Sequence, residues 1–372
     1  MKYIFIFLLL VSCTNKTTVL NTTVFDVGYK STTRFTGNFY DEKSKKEIIY
    51  FAEPVTNKKI KFFEVDGTFV KEISLVNIAN EMETIDNVFI SNLDSIHLFS
   101  LKKNQIQTID SNNQKIRTID LSKITYPNGD IYEFRIYGSA KNIIWNNKIF
   151  LATQWFDNIH KKVDPKKNEI VDFYDNWFNS DNLISITIDK KGNLQKNLVI
   201  NSFYKNISKN ADVFMEGNYY TFIKNKLLYT SLYSDKLYVF DPYNGKLITT
   251  KPIISDFTKI TNGGIPLNKN TLPDLQNLIN LKMKKSYISS IFYNTNSNNY
   301  EIILQHEINQ SESFSDRKFS ILIYDNNFKK LDEIYFKDQK YNSFSALFID
   351  NKIMLECKNE SKTSKKYETI EF

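Results

Sequence analysis

Apolar and polar residues alternate along most of this chain, in short runs that stop at an aspartate and resume a few residues later. Five stretches share the layout: KIKFFEVDGTFVKEISL (59–75), NQIQTIDSNNQKIRTIDL (104–121), LISITIDKKGNLQKNLVI (183–200), KLYVFDPYNGKLITTKPI (236–253) and KFSILIYDNNFKKLDEIYF (318–336). Alternation with period two gives a strand one inward and one outward face, and a turn signal between two such runs predicts a β-hairpin. The aligned aspartates are Asp66, Asp110, Asp189, Asp241 and Asp325. A carboxylate in that place caps backbone N–H groups of the turn it opens, so turn chemistry accounts for the recurrence without a metal or catalytic role.

Two further strand-like runs precede each hairpin: 34–40 and 47–53, 87–91 and 95–100, 131–138 and 148–155, 218–223 and 226–233, 287–294 and 300–307. A four-stranded unit recurring along the chain is the pattern of a β-propeller. The C-terminus holds three runs, 343–350, 352–358 and 365–372, and the strand-like segment NTTVFDVGYK (21–30) belongs to no other unit. Pairing that segment with the last unit removes an open sheet edge. The expected fold is therefore all-β: a six-bladed β-propeller of four-stranded antiparallel blades over residues 21–372, its N-terminal strand closing the last blade.

The aspartates are spaced 44, 79, 52 and 84 residues apart, so two units carry insertions, at 156–182 and 255–286. The first lies between the second and third strands of blade three, the second between blades four and five. Connections alternate between the two ends of a meander, which puts both insertions at one end and the aspartate turns at the other. Within the second, Leu275, Leu278, Ile279 and Met283 fall on one helical face after Thr271, a possible N-cap with Asp274 three residues on. Binding residues concentrate on long loops held by a rigid scaffold, so the insertion-bearing end is the expected binding site. The first insertion is rich in aromatics and acids. Trp155, Asp157, His160, Tyr174, Asp175 and Trp177 are the candidate ligand contacts, because aromatics beside carboxylates suit a glycan or peptide. The alternative is that these rings pack a small core of the loop itself. Trp145 is expected in the propeller core.

The first thirteen residues change the picture of location. Lys2 precedes nine apolar residues, 3–11, and Leu10-Val11-Ser12-Cys13 follows. That is the layout of a secretory signal, and nine residues fall short of the ~20 that span a bilayer. The end of the run resembles a bacterial lipobox. The resemblance implies that residues 1–12 are removed, that Cys13 is lipidated, and that 13–20 form a lipidated linker. A plain signal peptide or a short membrane anchor are the alternatives. Cys357, the other of two cysteines, then has no partner and reads as a buried, inert thiol.

Composition adds little that is specific. Aromatic residues make up 15% of the chain, 29 Phe and 22 Tyr among them, which favours strands. The net charge is +7, but the lysines are scattered rather than clustered, which reads as a solvated surface and not a nucleic-acid footprint. The three histidines, His97, His160 and His306, are far apart, and no HExxH, EF-hand, GxSxG or Walker pattern occurs. No cofactor, metal or catalytic residue is expected from motifs. Paired carboxylates of a glycosidase could still come from different blades, since they need no linear motif.

With its lipobox-like start, its aspartate-turn hairpins and its six units, the chain resembles the TolB-like six-bladed β-propeller lipoproteins of Bacteroidota, many of unknown function. The resemblance implies an envelope location and a binding or scaffolding role, and it implies no catalytic residues. Surface-displayed members often carry acids after the lipidated cysteine. Thr14, Asn15, Lys16 and Thr17 supply none, which favours the periplasmic side of the outer membrane over surface display. The expected function is a lipid-anchored envelope protein that binds a peptide, glycan or protein partner through the insertion-bearing end. A glycoside hydrolase or lyase with carboxylates at the channel mouth is one alternative, and a structural component of an envelope complex is another.

Overall fold

Hydrogen bonding resolves the alternating runs into six antiparallel sheets, arranged as a six-bladed β-propeller. The structure, a computed structural model, describes residues 17–29, 35–125, 133–134, 143–145, 148–154, 181–188, 194–201, 212–213, 218–231, 234–260, 265–266, 280, 283–308, 317–358, 361 and 363–372. The chain enters on β1 (Thr18–Asp26). Blade one follows as β2 (Thr36–Asp41), β3 (Lys46–Glu53), β4 (Lys59–Glu64) and β5 (Phe69–Ser74), and helix α1 (Val76–Met82) leads out of it. Blade two is β6 (Asn87–Asn92), β7 (Ser95–Ser100), β8 (Gln105–Ile109) and β9 (Lys115–Asp120). Blade three holds β10 (Glu133–Phe134), β11 (Ile143–Trp145), β12 (Lys148–Gln154), β13 (Asp181–Ile188) and β14 (Leu194–Asn201). After β15 (Asp212–Val213), blade four is β16 (Asn218–Ile223), β17 (Lys226–Ser231), β18 (Lys236–Phe240) and β19 (Leu247–Pro252). After β20 (Ile265–Pro266), blade five is β21 (Tyr287–Asn294), β22 (Asn299–Gln305), β23 (Phe319–Tyr324) and β24 (Lys330–Phe336). Blade six ends the chain with β25 (Tyr341–Ile349), β26 (Lys352–Cys357) and β27 (Ser364–Glu371).

The ring closes as the sequence predicts. β1 runs antiparallel to β27 from Thr18 opposite Glu371 to Asp26 opposite Ser364, and it forms the outermost strand of blade six. It starts at Thr18, three residues ahead of the segment read as strand-like. Blade three departs from expectation. Among the described residues its innermost position holds two short pieces on the same neighbour, one within the 131–138 run and one after it: β10 pairs with Thr153 and Gln154, and β11 pairs with Lys148, Ile149 and Phe150. Trp145 pairs with Lys148, and the sequence between them, Asn146-Asn147, is a two-residue hairpin signal. Trp145 lies in β11, and its side chain is outside the described residues, as is the stretch 271–279 with its expected N-cap Thr271.

Packing explains the near-continuous apolar runs of the inner strands. Each blade presses both faces against neighbours, so alternate residues of one strand enter different seams. In β3, Ile49 and Phe51 join blade six, while Ile48, Tyr50 and Ala52 join blade two. Apolar clusters fill all six seams, the last of them joining blade six to blade one. Burying a large aliphatic or aromatic side chain contributes about 1.5–3 kcal/mol, so the ring is held by its seams. Helix α1, seven residues that sequence periodicity does not separate from a loop, drops Ile78, Ala79 and Met82 into the first seam. Cys357 is 5% exposed in the seam of blades five and six, and burial pushes its thiol up to about 11.

The aspartate turns have the predicted chemistry. Asp66 accepts from Thr68 N, Asp110 from Asn112 N and Gln114 N, Asp241 from Tyr243 N, and Asp325 from Asn327 N and Lys329 N, all at 2.7–2.8 Å. Asp189 lies outside the described residues. Each of the four turns then needs a left-handed residue: Gly67, Asn113, Gly245 and, unexpectedly, Phe328 at φ 60°. Phe328 is held in that unfavourable region by stacking on Tyr300, 4.4 Å away and nearly parallel.

One irregularity recurs. A β-bulge interrupts the outermost strand of five blades close to its turn end, leaving Leu20, Val70, Ile116, Ile248 or Leu331 unpaired. In β14 of blade three the corresponding shift falls later, at Asn197.

Candidate functional site

The second-to-third strand links and the blade-to-blade connections share one end of the strands, the end at which β12 and β19 stop before the two insertions. Two of the connections are tied together. β15, between blades three and four, pairs antiparallel with β20, between blades four and five. The start of the second connection is laid across blade five. Ser255 Oγ and the Asp256 amide donate to Glu333, whose carboxylate also holds Lys330 at 2.6 Å. Phe257 stacks on Tyr335 at 4.8 Å, and His306 stacks on the same ring at 5.1 Å.

Its far end is clasped by Arg317. The guanidinium donates from Nη1 to the carbonyls of Lys285 (2.9 Å) and His306, and from Nη2 to the carbonyl of Met283 (3.0 Å). It also lies over the Tyr287 ring at 5.0 Å, a favourable cation–π distance. Arg317 is 3% exposed, and burial lowers its pKa from the usual arginine value.

Next to this clasp the innermost strands of blades five and six carry a polar seam. β25 swells between Asn342 and Leu347 because its register with β26 shifts there. The swelling presents Phe344, 37% exposed, with its ring 6.5 Å from that of Tyr287. Beneath it Gln305 donates to Ser289 Oγ and Ser343 Oγ at 2.8 Å and accepts from Ser343 Oγ at 3.0 Å. Glu356 accepts from Asn342 (3.0 Å) and Ser345 and pairs with Lys365 at 2.5 Å. Gln305, Ser343 and Ser345 are buried and bonded within the seam, and its carboxylate is already neutralised, so the surface presents Phe344 with the partly exposed Tyr287, Ser289 and Asn342. Such a surface suits stacking and hydrogen bonding to a neutral polar ligand.

The residues singled out from sequence, Trp155, Asp157, His160, Tyr174, Asp175 and Trp177, and the lipidation candidate Cys13, all lie outside the described residues. The structure therefore does not bring them to this seam or separate them from it. His97 and His306 are structural. His97 hydrogen-bonds Thr108 at 2.9 Å and stacks on Phe89, His306 meets Ser320 at 2.8 Å, and burial pushes both down to about 4. Among the described residues no group of three or more His, Cys, Asp or Glu could hold a metal ion.

A second polar cleft lies at the opposite end, between blades five and six, lined by Asn294, Glu301, Asp350 and Lys352 among others. Glu301 is 4% exposed, accepts from Asn294 at 2.8 Å through Oε1, and has no hydrogen-bond partner at Oε2. Burial pushes its pKa up to about 7. A raised acid binds its proton more tightly in the folded state, so stability falls as pH rises from the ordinary carboxylate value to about 7. Glu301→Gln is expected to remove that decline and to stabilise the fold at pH 8 by roughly 2–4 kcal/mol. Thermal midpoints of both proteins from pH 4 to 8 test it, and equal midpoints at pH 8 would refute it.

No family model and no curated protein matches the chain. Among solved structures, a member of the DUF4221 family from Bacteroides vulgatus superposes with a TM-score of 0.70 at 14% identity, over 96% of this chain and 98% of that one. A streptogramin B lyase matches at TM-score 0.43 and 12% identity over 94% and 98% of the two chains. BamB from Moraxella catarrhalis matches at TM-score 0.36 and 9% identity over 90% and 84%. The chain thus shares its fold, from first blade to last, with the Bacteroides DUF4221 structure.

Proposed function

We propose that this protein is a lipid-anchored envelope propeller that binds a peptide, glycan or protein partner through its insertion-bearing end. Anchoring is through Cys13, in the outer membrane and facing the periplasm. The observation that carries the reading is the construction of that end: two blade connections hydrogen-bonded to each other as β15 and β20, the second of them also clasped at its far end by Arg317, beside exposed Phe344. The described segments, fixed at these points on a rigid ring, provide a preorganised surface, which reduces the entropic cost of binding. The pairing of Glu356 with Lys365 favours binding over glycoside hydrolysis at the seam, since a hydrolase needs two carboxylates free to act.

Deleting residues 158–176 is the direct test. Peptides enriched from a displayed library, and glycans retained on an array, are expected to bind the intact chain and not the deletion variant. The variant should keep its β-rich circular dichroism spectrum and a thermal midpoint within a few degrees. Ligands that bind both chains equally well would remove the insertion from the binding surface.

A further inference from the structure

Five of the six outermost strands share the bulge described above, and in each the residue it leaves unpaired is aliphatic and exposed. Leu20, Val70, Ile116, Ile248 and Leu331 are between 38% and 56% exposed. A bulge on an outer strand prevents edge-to-edge pairing with another sheet, but that purpose is met as well by lysine or asparagine. Blades repeat about one axis, so the five side chains form an apolar ring at one level of the propeller. They lie at the turn ends of their strands, opposite the ends that carry the insertions. Leu20 belongs to the ring and is seven residues from Cys13, a reach of about 25 Å at most when extended. Exposed Lys246 and Lys329 stand near the bulges at Ile248 and Leu331, where anionic headgroups would attract them.

We propose that this ring is the surface the propeller rests on the bilayer, its aliphatic side chains entering the headgroup boundary and the insertion-bearing end turned away from the lipid. The inference rests on the proposed acylation of Cys13. The acyl chains supply the attachment, and the ring sets the orientation, because shallow insertion of apolar side chains beside basic residues suits an interface.

The test uses the mature acylated chain in vesicles of phosphatidylethanolamine and phosphatidylglycerol. An environment-sensitive dye is attached through Ile116→Cys, Ile248→Cys or Leu331→Cys, and, for comparison, through Val55→Cys or Ile254→Cys, exposed residues at the other end of the strands. The three ring labels are expected to be quenched several-fold more by spin-labelled lipid than the two comparison labels. Equal quenching, or stronger quenching at Val55 and Ile254, overturns the orientation. The mass of the N-terminal peptide reports acylation separately. If Cys13 carries no lipid, the anchor proposed above fails, and the ring is judged by flotation of the chain with the same vesicles. Flotation lost on combining Ile116→Glu, Ile248→Glu and Leu331→Glu keeps the ring as a lipid surface, and absence of flotation overturns it.

Discussion

Phe25→Ala is expected to lower the stability of the propeller by about 3–5 kcal/mol, the range for deleting a buried phenylalanine side chain. Phe25 is fully buried in β1, with ring centroids 5.3, 5.6 and 5.7 Å from Phe51, Phe63 and Tyr367. Phe51 and Phe63 belong to blade one and Tyr367 to blade six, so one side chain holds both the closing strand and the closing seam. The edge-on contacts with Phe63 and Tyr367 add to the burial term. Val24→Ala is the control, because Val24 is 54% exposed on the same strand and its loss should cost no more than about 0.5 kcal/mol. Urea denaturation followed by intrinsic fluorescence measures both. A Phe25→Ala midpoint indistinguishable from that of Val24→Ala would mean that β1 is dispensable to closure.

Arg317→Met is expected to cost about 2–4 kcal/mol and to expose the connection between blades four and five to proteases. The methionine fills much of the volume but leaves the carbonyls of Met283, Lys285 and His306 without the guanidinium donor, and an unsatisfied buried acceptor costs about 1–3 kcal/mol. Met283 O retains the Ile308 amide at 3.0 Å, so the losses do not simply add. Arg317→Lys should not restore the clasp. An ammonium is a compact donor that does not span three carbonyls as a planar fork does. Limited proteolysis with mapping of cuts between residues 255 and 286 measures the local effect, and thermal denaturation the global one. Cleavage at wild-type rates in both variants would show that the connection is held by other contacts.

The repeat was legible because each turn needs a carboxylate at one place and a left-handed residue soon after. Asp110 with Asn113 and Asp241 with Gly245 state both requirements in sequence. Phe328 hides the second, since its backbone is held by stacking on a residue in another strand. In blade three the short strand Ile143–Trp145 was not legible, because the apolar run IYEFRIYG just before it outweighs so short a piece. Nothing local marks Arg317: its acceptors are backbone carbonyls, which carry no residue identity. The outer-strand bulges are equally silent, because a bulge is a mismatch with a partner, and Ile116 and Leu331 read in isolation as ordinary strand residues. Contacts made by side chains at short range show in a sequence; register and backbone capture show only once the strands are paired.

The pairing of β1 with β27 also has a consequence in time. Its two strands are the most widely separated in sequence of any pair in the described sheets, so β1 must wait for Ser364–Glu371 to be synthesised. Until Ser364–Glu371 arrives, Phe25 has no Tyr367 to meet, and blade six presents an unpaired border. A polypeptide cut short before residue 364 would retain five potential blades and an open ring, with the apolar side of β1 uncovered. Completion of the circle therefore acts as a record that translation reached β27, and quality-control proteases that recognise uncovered apolar segments could read it.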